Sequence, residues 1–213
     1  MTKFTIEDLF YEMVINEDFE TKALELINNN GVDINTFQEK KLGFNPVMFA
    51  SYRGWLYQVK FLVEHGADIN LRNPNGENAL IASCMDDPSF ATFKLTGIDR
   101  RKLQYATKII SEEDKKYRKE SIYLERREIM KYLIGIGINV TDLCYEYEHL
   151  HNASALDIYM RNSCMNDLSI IDLLVTSGVP LRDNLAELFE HTDMETGMTL
   201  TRKFNYYNKK YNE

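Results

Sequence analysis

Residues 43–70 read GFNPVMFASYRGWLYQVKFLVEHGADIN, and the fold turns on this stretch. It holds two short apolar segments, Val47 to Ser51 and Val59 to Val63. Arg53-Gly54 separates them, and His65-Gly66 ends the second. Pro46 suits the first turn of a helix, where its missing N–H is not needed. Gly66 falls just past a periodic apolar run, the position of a left-handed C-cap. The stretch therefore predicts two short antiparallel helices followed by a loop. Neither helix can bury an apolar face alone, so similar units must stack on both sides.

Copies of the unit are present. Its ending, Gly-Ala-Asp-Ile-Asn at 66–70, recurs as Gly-Val-Asp-Ile-Asn at 31–35, as Gly-Ile-Asn-Val at 137–140 and as Gly-Val-Pro-Leu at 178–181. Each follows an apolar helical run, such as Phe61-Leu62-Val63 or Ile170-Ile171 with Leu173-Leu174. The front half, Gly43-x-Asn45-Pro46-Val47, is echoed by Gly76-x-Asn78-Ala79-Leu80 and by Asn152-x-Ser154-Ala155-Leu156. In these motifs the chain resembles the ankyrin repeat family, whose unit is about 33 residues of β-turn plus two helices. The family's Thr-Pro-Leu-His tetrad is intact in no unit, and its His position holds Met48, Ile81 and Asp157. The resemblance therefore implies weaker hydrogen bonding between units than the family usually has.

The expected fold class is all-α: an ankyrin-repeat solenoid of about four helix pairs with short hairpin fingers, a long helical insertion and a C-terminal helical cap. One domain, 1–213, divides into an N-terminal cap repeat (1–35), a repeat at 36–70, a repeat at 71–140 with an insertion at 86–124, a repeat at 141–183 and a C-terminal cap (184–213). Residues 36–42, with Glu39, Lys40 and Lys41, form a polar connector that the resemblance makes a finger. Asn73-Pro74-Asn75-Gly76 is a turn signal for the next finger. Gly66 and Gly137 are about two repeats apart, which leaves two readings, a degenerate extra repeat or an insertion; the insertion is favoured because no glycine ending of this kind lies between them. The second helix of that unit is expected from about Glu125. The stretch 99–128 is locally basic, with ten Lys and Arg against seven Asp and Glu. Two readings stand for it, a solvated helix extension or a binding element.

With 213 residues and 44% hydrophobic residues, the chain has enough apolar material for one substantial core. No apolar run approaches the roughly 18–20 residues that span a bilayer, so no membrane contact is expected. The start, MTKFTIEDLFYE, places acids where a signal peptide has its apolar stretch. Cys84, Cys144 and Cys164 are odd in number and lack metal-type spacing, so reduced thiols and a cytoplasmic location are expected. A formal net charge of −8 disfavours general nucleic-acid binding, which rests on Lys and Arg neutralising phosphates.

No catalytic constellation is found: there is no Gly-rich phosphate loop, no Gly-x-Ser-x-Gly and no His-Glu-x-x-His. His149 and His151 stand two apart, but no Cys or carboxylate set completes a metal spacing. Neither an enzyme activity, a metal nor a cofactor is expected. The resemblance implies instead a protein-binding surface across the finger tips and the exposed positions of the first helices. The matching residues are Lys41, Phe44, Tyr52, Arg53, Asn75, Glu77, Met85, Asp86, His151 and Arg161. Phe44, Tyr52 and Arg53 are expected to lie close together and exposed, with the aromatic and Arg character of interface hot spots. The leading reading is a module that masks or inhibits a protein partner, such as an immunity protein or a viral or phage inhibitor of a host factor. The alternative is a scaffold whose basic insertion and tail, 202–210, contact nucleic acid or carry an activity. The partner and the oligomeric state are left open.

Overall fold

The computed structural model describes residues 4–15, 18–37, 43–85, 112–162, 165–190 and 192–211. The expectations for Lys41, Asp86, Cys164 and most of the insertion fall outside these. Helices dominate what is described. The order is α1 (Ile6–Ile15), α2 (Phe19–Leu24), α3 (Pro46–Arg53), α4 (Leu56–Glu64), α5 (Ala79–Cys84), α6 (Glu112–Gly135), a two-stranded hairpin, α7 (Ala155–Arg161), α8 (Leu168–Thr176), a 3-10 turn (Leu185–Phe189) and α9 (Met194–Tyr211). The α2 helix runs on through a π turn over Glu25–Asn29.

The sequence signals mark the ends as read. Pro46 opens α3, and Asn45 Oδ1 accepts from the Met48 N–H at 3.0 Å. Asn78 caps α5 the same way through the Ile81 N–H, and Ser154 caps α7 in a reciprocal box with Asp157. The position of the family's tetrad His thus supplies the capped backbone N–H in each unit, whatever its side chain. At the other ends, Gly31, Gly66, Gly137 and Gly178 all take positive φ. Behind each, the following residue donates back to the helix at 2.9–3.0 Å: Ala67 to Leu62, Ile138 to Leu133 and Val179 to Leu174, five positions back, and Val32 to Leu26, six back across the π turn. This left-handed cap turns each second helix into the loop that leads to the next unit.

Adjacent helices close one apolar core. Phe10 of α1 meets Phe49 of α3 edge-on at 5.0 Å, and Phe19 of α2 meets Phe61 of α4 at 4.9 Å. The α3, α5 and α7 helices lie side by side in that order. Val47, Leu80, Ile81, Leu156 and Ile158 are all buried. Units are also tied through their loops by asparagines. Asn35 Oδ1 accepts from the Asp68 N–H at 2.8 Å, and Asn70 Oδ1 accepts from the Asn139 N–H at 2.7 Å. Asn78 Nδ2 donates to Asn139 O and to Asp142 Oδ2. The weak bonding expected from the missing tetrad is therefore corrected: the Asn of each Asp-Ile-Asn ending carries the link that the tetrad was expected to carry.

One other departure has a physical cause. The helix expected from about Glu125 already runs from Glu112. Residues 112–124 contain no Gly or Pro and many strong helix formers, so nothing stops the helix from extending. Its Ile122 packs on α3 at Gly54, where an added Cβ would lie 2.9 Å from the Ile122 carbonyl oxygen. The hairpin finger expected in the repeat at 141–183, the third finger, is a strand pair, β1 (Leu143–Tyr147) with β2 (Leu150–Ser154), in antiparallel register with Glu146 opposite His151. The alternation Leu-Cys-Tyr-Glu-Tyr is rich in β-formers and directs Cys144 inward opposite Ala153.

Candidate protein-binding surface

The surface expected on the first helices is not there. Phe44 (1% exposed), Tyr52 (7%) and Met85 (6%) are core residues. Phe44 and Tyr52 do lie together, edge to face at 5.7 Å, but inside the protein. The cause is Arg126 of α6, itself fully buried. Its guanidinium lies 5.1 Å from the Tyr52 ring, donates to Met85 O at 2.6 Å, and donates to Tyr52 O. One cation thus satisfies the last carbonyls of α3 and α5, where the helix dipoles are negative. Arg53 is partly buried, with its guanidinium 5.5 Å from the Trp55 ring. Arg161 is buried too. It donates to Leu188 O and Glu190 O and pairs with Glu148 at 2.9 Å, so it fastens the hairpin tip to the 3-10 turn.

What remains outward is the edge formed by the second and third fingers. Asn75 docks on β1 like a short neighbouring strand. Its carbonyl accepts from the Tyr145 N–H at 2.8 Å, its Oδ1 accepts from the Glu146 N–H at 3.2 Å, and its Nδ2 donates to Glu146 O at 2.9 Å. Glu77, buried rather than exposed, organises that finger. Its carboxylate accepts from Asn73 Nδ2 at 2.6 Å and from Asn75 Nδ2 at 2.8 Å. Cys144 points at the same carboxylate. Burial, with Glu77 adding to it, pushes the Cys144 thiol up to about 12, so it stays a neutral thiol.

Asn75 and His151, distant in sequence, are therefore brought to one edge, with Glu146 between them. Tyr145, half exposed at 51%, stands on the same edge with its ring against Gly76. His149 and His151 are exposed on the same hairpin, and His151, paired with Glu146, faces away from Tyr145. Sequence reasoning places Tyr145 in the third finger but does not select it. The signal for it is the period-two run Leu143–Tyr147, which puts Tyr145 and Cys144 on opposite faces. Among the described residues no group of three or more His, Cys, Asp and Glu is placed to hold a metal. No helix among them is long and apolar enough to cross a membrane.

Gly76 makes the docking of the two fingers testable. It takes φ +82°, and an added Cβ would run into the Leu143 carbonyl oxygen. Gly76→Ala is expected to destabilise by about 1–3 kcal/mol in urea denaturation, the scale of one strained backbone position. Gly31→Ala, at φ +65° with open space around it, is the control for conformational strain alone and should lose less.

The α9 tail is used inside as well. Lys203 is fully buried and donates to Tyr159 O (2.7 Å) and Asn162 O (2.6 Å), so it caps α7 as Arg126 caps α3 and α5. Lys210, Tyr206 and Tyr211 converge on Asp172 of α8.

A sequence profile described as Ankyrin repeats (3 copies) matches residues 11–95. A curated protein of Rickettsia bellii (strain RML369-C), described as a putative ankyrin repeat protein, is 33% identical over 81 residues. The match covers 37% of this chain and 12% of that protein, so the chain spans a small part of that relative's length.

Proposed function

We propose, on the premise that this chain belongs to the ankyrin repeat family, that it masks a protein partner by binding it across the joined second and third fingers. Ankyrin repeats indicate a protein–protein interaction module. The finer reading is a non-enzymatic solenoid of about four helix pairs, closed by α9 as a cap, in which the finger edge is the contact. The observation that carries it is Tyr145: an aromatic side chain half in water, on a hairpin held rigid by three hydrogen bonds with Asn75. Rigid aromatics of this kind dominate binding energy, because little rotamer freedom is lost on contact. Asn75 lies beside it, bonded to its N–H. The first helices are covered by their own chain and take no part.

The test places a photo-crosslinking amino acid at Tyr145 and, as control, at Tyr57 of the outer helix α4, which is also half exposed. The Tyr145 label is expected to capture one partner protein that the Tyr57 label does not. Calorimetry with that partner should then show Tyr145→Ala with His151→Ala losing at least ~2 kcal/mol of binding, as for a hot-spot loss. Unchanged affinity in a folded double mutant would move the interface off the fingers. Captured RNA or DNA, lost steeply with salt, would favour a nucleic-acid role instead.

A further inference from the structure

The α9 helix is packed on one face only. Leu200 and Lys203 are fully buried, and Phe204 meets Phe189 edge-on at 5.8 Å. The opposite face carries the two most exposed large apolar side chains among the described residues, Met194 at 84% and Met198 at 69%. Met194, Gly197, Met198, Thr201, Arg202 and Asn205 line one shallow groove. Their spacing of three and four residues makes them a continuous stripe. Charge along the stripe is polarised. Glu195 is exposed near its start, and Arg202 and Lys209 are exposed toward its end.

We propose that this stripe is a self-association surface, on which α9 of a second copy of the chain packs antiparallel. The charge order selects both the partner and the direction. With a two-fold axis between Met198 and Thr201, each Met198 faces the second copy's Thr201, and each Met194 faces its Asn205. In that register Arg202 reaches the second copy's Glu195. A parallel pair would set like charge on like. The symmetric arrangement is self-complementary, as a closed two-fold interface requires. Gly197 presents no side chain beside Met198, so the helix axes can approach at the short end of the usual ~8–10 Å. The two methionines supply adaptable apolar contact. One helix of this length, roughly 27 Å, buries less than a stable obligate dimer needs, so the dimer is weak and concentration-dependent. None of the stripe residues belongs to the finger edge.

Sedimentation equilibrium of the full chain over a concentration series tests the proposal. A monomer–dimer equilibrium that weakens with added salt is expected. Met198→Glu should abolish the dimer. Arg202→Glu should weaken it by at least ~10-fold, as expected for a like charge placed at an interface. The double swap Glu195→Arg with Arg202→Glu should restore it, because the swapped pairs are again opposite. These residues are exposed, so circular dichroism should match the wild type throughout. A chain that stays monomeric to its solubility limit would overturn the proposal. So would a dimer indifferent to Met198→Glu, or a double swap no better than Arg202→Glu alone.

Discussion

Arg126→Ala is expected to destabilise the protein by about 3–5 kcal/mol, more than other single polar changes in the described residues. Two hydrogen bonds from a charged donor are lost, each worth about 1.5–3 kcal/mol. The carbonyls of Tyr52 and Met85 are left at the ends of buried helices. The space the guanidinium filled against the Tyr52 and Tyr123 rings opens as well. Arg126→Lys keeps the charge but has no planar fork to reach two carbonyls at once, so it should recover only part of the loss. Urea denaturation followed by circular dichroism measures both variants. A loss below about 1 kcal/mol in Arg126→Ala would mean that water replaces the guanidinium without penalty, and that Arg126 is not what holds the ends of α3 and α5.

Leu62→Ala is the second large change. Leu62 is fully buried in α4, and its carbonyl accepts the Ala67 N–H that closes the left-handed cap at Gly66. Deleting three buried carbons should cost about 2–5 kcal/mol, with the value set by how far the site can collapse. The pattern of damage is as informative as its size. The α4 helix packs on α3 and α6, and its neighbour Phe61 meets Phe19. Protection from hydrogen exchange should therefore fall around Val47 and Leu80 before it falls around Leu188, because stacked units couple to their neighbours first. Uniform loss along the chain would show instead that the helices melt as one block.

The helix ends are the legible part of this sequence. A glycine after an apolar run, or an Asn and Pro before one, acts through local backbone geometry, and local geometry is written in consecutive residues. Gly31, Gly66, Gly137 and Gly178 all take the positive φ that such a reading needs, and Pro46 opens α3 as expected. The candidate site is illegible where it depends on distance. Tyr52 and Arg126 are 74 positions apart, and nothing in either neighbourhood announces that one will cover the other. An Arg in a charged helical run ordinarily faces water. Here it faces inward because residues 112–124 continue the helix and bring Ile122 onto Gly54. The same holds for Lys203, which reads as a tail cation and is a helix cap. Asn75 and His151 read as finger residues and do reach one edge. Tyr145 escapes such a reading because nothing in its own neighbourhood says that its ring will stand outward against Gly76, 69 positions away.

The long stretch of sequence between α5 and α6 also matters before the chain is complete. In an unbroken stack each unit meets the next about 33 residues later, so a growing chain can cover its apolar faces almost as fast as they emerge from the ribosome. Here Cys84 waits for Asn162, 78 positions on, and Asn75 waits for Glu146, 71 positions on. Closing the longer loop adds only about 0.6 kcal/mol per doubling of length. The burden is one of time: Leu80 and Ile81 emerge with α5 and stay without their second helix while the whole intervening segment is made. At roughly 5–20 residues per second that interval lasts seconds. Nascent chains of this length are the ones most exposed to mutual sticking, and in them a chaperone would find its binding site on α5.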